Sequence, residues 1–104
     1  MTKKHFMCTH TWQNDEAKNT AMAISITDKE FFATYKTDRA ECLQHWMGDN
    51  EFFFCHWFAE SEDAIHEALE LAGDSEMILT LPYETPRYIS STAITDTALV
   101  NLFE

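Results

Sequence analysis

Between residues 42 and 58 the chain sets two apolar runs on either side of a short polar one. Cys42 to Met47 reads Cys-Leu-Gln-His-Trp-Met, residues 48–51 read Gly-Asp-Asn-Glu, and Phe52 to Phe58 reads Phe-Phe-Phe-Cys-His-Trp-Phe. Successive side chains of a strand point to opposite faces. Phe52, Phe54 and Phe58 therefore share one face of the second strand, and Phe53 and Trp57 share the other. Both faces of this hairpin require cover. A small chain has few helices to provide it, so the pattern predicts a partner subunit.

The same pattern extends along the chain. Residues 5–12 alternate, with Phe6, Cys8, His10 and Trp12 opposed to Met7, Thr9 and Thr11, and predict a first strand. Asn14 is placed to cap a helix, with Asp15 and Glu16 favourable in its first turn and Ala17, Ala21 and Ile24 at helical spacing. Thr27 and Glu30 have the form of a capping box ahead of Phe31, Phe32 and Tyr35. Two short helices are expected, near 15–24 and 28–36. Ser61 caps a further helix with an apolar stripe of Ile65, Ala68, Leu69 and Ala72, and Gly73 ends it. Residues 77–81 predict a short strand that Pro82 stops.

This order, β-α-β-β-α-β, is the split βαβ pattern of a ferredoxin-like sandwich in the α+β class. Helices then cover one sheet face and leave the other open. An apolar open face is usually closed by a second sheet, giving a dimeric α/β barrel. The reading is one domain over 1–104 with a C-terminal extension over 83–104. A strand-like stretch near 86–90 and a short helix near 95–103 are expected there, packed on the domain or across the dimer.

Charge narrows the partners. The formal net charge of −11 on 104 residues opposes nucleic acid and anionic membranes, and leaves cations and cationic partners compatible. Six of the seven basic residues lie in 1–39, and from residue 40 onward only Arg87 stands against thirteen acids. The acids at 60–76 have no calcium-loop spacing and read as a solvated helix face. Cys8, Cys42 and Cys55 have no CxxC spacing, and an odd count without a signal peptide implies reduced, buried thiols in a cytoplasmic protein. No stretch approaches transmembrane length.

The reactive side chains cluster in the hairpin. Cys55 and His56 are adjacent, but neighbours on a strand face opposite ways, so they do not form a nucleophile–base pair. The company of His45 depends on the turn. An even loop puts His45 on the face of His56; an odd loop puts it with Cys55, because a one-residue slip exchanges the faces. The even loop, turning at Asp49-Asn50 or over Gly48–Glu51, is the expectation. His10, on a first strand paired with the third, then joins His45 and His56. Three such imidazoles would suit zinc, nickel or copper. Trp46, Phe54 and Trp57 are the candidate walls of an aromatic ligand site. His66 and His5 are expected at the surface. No phosphate loop, nucleophile elbow or zinc knuckle is present.

The stretch from Cys42 through Met47 and Phe54 to Ser61, followed by Ala64 to Leu69 and Ala72-Gly73, resembles a family of small bacterial ferredoxin-like proteins. Most of its members are uncharacterised and one branch binds nickel. The resemblance covers about residues 40–80, more weakly 5–12. It implies a dimeric α+β fold and makes a metal site more plausible, but transfers no ligand. The architecture is also similar to dimeric barrels that include cofactor-independent monooxygenases. The expected function is a homodimeric protein binding a small ligand or a transition metal at the sheet face. The alternatives are a monooxygenase- or isomerase-like enzyme with a histidine base, and a face used only for dimerisation.

Overall fold

The capping signals act where the sequence puts them. In the computed structural model, which describes residues 2–48 and 51–99, Asn14 accepts a hydrogen bond from the Ala17 amide and opens α1 (Asp15–Met22). Thr27 and Glu30 close a full capping box at α2 (Asp28–Thr34). Ser61 accepts from the Ala64 amide at the start of α3 (Glu62–Leu71). The end of α3 is a Schellman turn. Gly73 adopts a left-handed φ of 84°, its amide donates to Glu70, and the Asp74 amide donates to the Leu69 carbonyl. This turn carries Asp74 back beneath the helices.

Four antiparallel strands, β1 (Lys4–Trp12), β2 (Ala40–Met47), β3 (Phe52–Ala59) and β4 (Ile78–Glu84), form one sheet in the order β2-β3-β1-β4. With the three helices among the described residues this is an α+β architecture compatible with a ferredoxin-like sandwich. Pro82 does not stop the last strand. It lies inside β4, opposite Cys8, because β4 is an edge strand, where a residue without an N–H is tolerated. In the extension, residues 86–90 form no strand and 95–99 no helix; the rest of the expected helix lies outside the described residues. No helix among the described residues is long and apolar enough to cross a membrane.

The register of the hairpin differs from the even loop expected. Cys42 pairs with Trp57, but Gln44 pairs with His56 and His45 with Cys55. Leu43 is the extra residue of a β-bulge, and beyond it the side chains of β2 change parity. His45 therefore shares the helix-covered face with Cys42, Cys55, Phe53 and Trp57. Phe6, Cys8 and His10 of β1 lie on this face, and Ala64, Ile65, Ala68 and Leu69 of α3 are buried against it. The other face carries Met7, Trp46, Phe54, His56, Phe58, Leu79, Leu81 and Tyr83.

Candidate functional site

Polar groups gather on the helix-covered face, in the middle of the core. A cavity of about 40 Å³ lies between the sheet and the helices. Its wall includes His10 from β1, Cys42 and His45 from β2, Phe53, Cys55 and Trp57 from β3, Tyr35 from the end of α2, and Asp74 from the turn after α3. It adjoins an outer cleft of about 200 Å³ under α1, α2 and their connection, which it shares along Phe31, Tyr35, His45, Phe53 and Asp74. Ile24 and Ile26 line the outer cleft and are themselves largely exposed.

Each polar group is held by the local structure. Tyr35 is the C-cap of α2, and its hydroxyl donates a short hydrogen bond to the Asp74 carboxylate, which the Schellman turn delivers. His45 Nδ1 lies 3.3 Å from Cys55 Sγ across the hairpin. His10 is 1% exposed, stacks on Phe53 with ring centroids 4.9 Å apart, and has Nδ1 2.8 Å from the Thr80 hydroxyl. Among the described residues its Nε2 is buried with no hydrogen-bond partner, and Nε1 of Trp57 is buried with only the Cys55 sulfur as a weak acceptor. Buried polar atoms are rarely left unpaired, so His10 Nε2 calls for a partner and Trp57 Nε1 for a stronger one.

Burial sets the charge states. It pushes the His10 imidazole down to about 4 and also lowers His45, so both are neutral near pH 7. The Cys55 thiol is pushed up by its hydrogen bond to Cys42 and by burial. His45 and Cys55 are thus a neutral pair at rest, without the thiolate that a cysteine nucleophile requires. Burial also raises Asp74 and, together with the hydrogen bond to Asp74, Tyr35. None of the residues lining the cavity or its outer cleft is Lys or Arg.

The open face has a different cluster. His56, 2% exposed, places Nε2 2.8 Å from His5 Nδ1 and Nδ1 3.1 Å from the Gln44 amide nitrogen. Tyr88, from the extension, packs on both imidazoles, with ring centroids 4.7 Å from His5 and 4.4 Å from His56, and its hydroxyl accepts from Gln44 at 3.3 Å. His5 is therefore half-buried and part of a network, not free at the surface. Alternation does place His5 and His56 on one face; only the contact of the extension with them lies beyond the sequence pattern.

The candidate residues are divided between the two faces. Trp46 and Phe54 are directly opposite each other on the open face, whereas Trp57 is in the core at 1% exposure. Likewise His10 and His45 border the helix-side cavity, and His56 points the other way. The three histidines do not converge, and His5 and His56 are hydrogen-bonded directly to each other. Among the described residues no group of three or more His, Cys, Asp or Glu side chains is placed to hold a metal ion. Tyr35, Asp74 and the bulge at Leu43 are the parts of the cavity that the hairpin pattern did not point to. No protein-family model, curated protein or solved structure matches this chain.

Proposed function

We propose that the chain is a homodimeric α+β protein that takes a small molecule into the helix-side cleft, with His10 and His45 at its inner end. The observation that carries this reading is the buried Nε2 of His10, unpartnered among the described residues, on a side chain that lines a cavity adjoining a wider apolar cleft. Apolar pockets with a few convergent polar groups are the usual form of small-molecule sites. The ligand thus moves from the open sheet face to the covered one, and the open face is left for a second copy. Its support as an interface is chemical: Leu79, Leu81, Tyr83, Trp46 and Met7 are exposed on it together.

Amide chemical-shift mapping against a set of small aromatic and aliphatic compounds tests the site. Shifts confined to Phe31, Tyr35, His45 and Ile78 are expected. Shifts confined to Trp46 and Phe54 would return the site to the open face.

An acid–base enzyme of the monooxygenase or isomerase type is the second reading. It is favoured by the two imidazoles being neutral, and so able to accept a proton near pH 7. Under that reading His45→Gln removes turnover of a bound compound while its affinity changes little. Under the binding reading no bound compound is turned over by the unmodified protein.

A further inference from the structure

We propose that the helix-side cleft takes an uncharged aromatic molecule bearing a hydroxyl, with the hydroxyl seated against His10 Nε2 and Trp57 Nε1. This rests on the reading of that cleft as the ligand site. The polar group follows from His10 Nε2, which has no partner among the described residues, and Trp57 Nε1, which has only the weak Cys55 sulfur acceptor. Trp57 Nε1 can only donate. His10 Nε2 donates or accepts, according to whether Thr80 donates to Nδ1 or accepts from it. A hydroxyl both accepts and donates, so it satisfies Trp57 together with either tautomer of His10. A carbonyl serves only one tautomer, and an ammonium cannot accept from Trp57.

Charge and shape limit the rest. An anionic ring would meet no lining Lys or Arg, would face the Asp74 carboxyl, and would approach a chain of net charge −11. Desolvating an unpaired charge in such a site is costly. A cationic group finds one carboxyl, one oxygen of which already accepts from the Tyr35 hydroxyl and whose ionised form burial disfavours. The inner cavity of about 40 Å³ accommodates a hydroxyl but not a ring. The ring falls in the outer cleft of about 200 Å³, between Phe31, Phe53 and Tyr35. Aromatic walls favour a flat guest through offset and edge-on contacts.

The test compares phenol, toluene, benzoate and benzylammonium by titration of the full chain at pH 7.5, read by side-chain nitrogen resonances of His10 and Trp57. Phenol is expected to bind about tenfold tighter than toluene, as one hydrogen bond to a buried neutral group would give. Benzoate and benzylammonium are expected to bind more weakly than toluene. Phenol alone should move the His10 Nε2 and Trp57 Nε1 signals, a readout on the unmodified protein that does not depend on a variant folding. In His10→Phe, where Trp57 Nε1 alone remains to donate, the preference for phenol over toluene should fall and phenol should still move the Trp57 Nε1 signal. Equal binding of phenol and toluene to the unmodified chain, or strongest binding by either charged probe, overturns the hydroxyl assignment while keeping the cleft. Failure of all four probes to bind overturns the ligand site itself and the inference with it.

Discussion

His10 is the residue whose surroundings have the largest consequence for pH. An imidazole in the unfolded chain ionises near 6.5, whereas burial holds the folded one down to about 4. Between those values the unfolded chain binds a proton that the folded chain does not. Stability is therefore complete above about pH 6.5 and falls as the pH drops toward 4. At pH 5 the loss from His10 alone is about 2 kcal/mol. His5, His45 and His56 are lowered in the same direction by burial and add to it. Asp74, raised by burial, acts with the opposite sign, because its ionised form is penalised in the folded state. Urea midpoints at pH 7.5 and pH 5.0 should differ in this sense, and His10→Phe should reduce the difference. The thiols give a second expectation. Burial pushes Cys8 up to about 12, and Cys55 is raised by Cys42 and burial, so neither should react with an alkylating reagent at pH 8 until the chain is unfolded. Native-state thiol titration checks this, and rapid modification of Cys55 would reopen it as a nucleophile.

At the level of elements, the hairpin depends on a close approach at Gly48. A Cβ there would lie 2.5 Å from the Phe52 carbonyl oxygen, to which the Gly48 amide also donates. Gly48→Ala should therefore cost about 1–3 kcal/mol, as overpacking against backbone does, measured by denaturant unfolding. Gly73 differs: nothing lies near its would-be Cβ, and its constraint is the left-handed φ of 84° that aims Asp74 at Tyr35. The order of elements, the three N-caps and the glycine stop of α3 were legible in the sequence, because each rests on interactions within a few residues. The parity of His45 was not. Period-two alternation assumes a regular strand, and the extra residue at Leu43 breaks it halfway along β2. The same bulge that separates His45 from His56 brings it to Cys55. Pro82 misled for a related reason: it ends a strand only where the sheet continues on both sides, and β4 has a neighbour on one side only. The cavity was less legible still, since Tyr35 and Asp74 reach it from two helix ends 39 residues apart in the chain.

For the molecule as a whole, the proposed dimer rests on the open sheet face. Its strand positions carry Met7, Trp46, Phe54, Leu79, Leu81 and Tyr83, and charged side chains lie at its margin: Glu41 at one corner beside Lys36, and Lys3 over the Phe58 ring. Leu81 and Tyr83 are 73% and 74% exposed. Four strands of this length span on the order of 500 Å² in projection, and side-chain relief brings the buried surface toward the roughly 800 Å² per partner of a stable interface. Two copies, each of net charge −11, repel at long range, so the face must overcome that repulsion with apolar contact. Salt screens the repulsion and leaves apolar burial intact, so raising ionic strength should strengthen association, whereas a dimer held by ion pairs would weaken. Sedimentation at micromolar concentration should show a dimer whose population grows from low to moderate salt. Leu81→Asp with Tyr83→Asp should give a folded monomer whose unfolding midpoint no longer depends on protein concentration and lies below that of the dimer, because neither side chain is buried in the single chain but the stabilisation by association is lost. A monomeric unmodified chain would leave the open face without its proposed cover. The helix-side cleft would be untouched by that result, since every residue assigned to it comes from one copy.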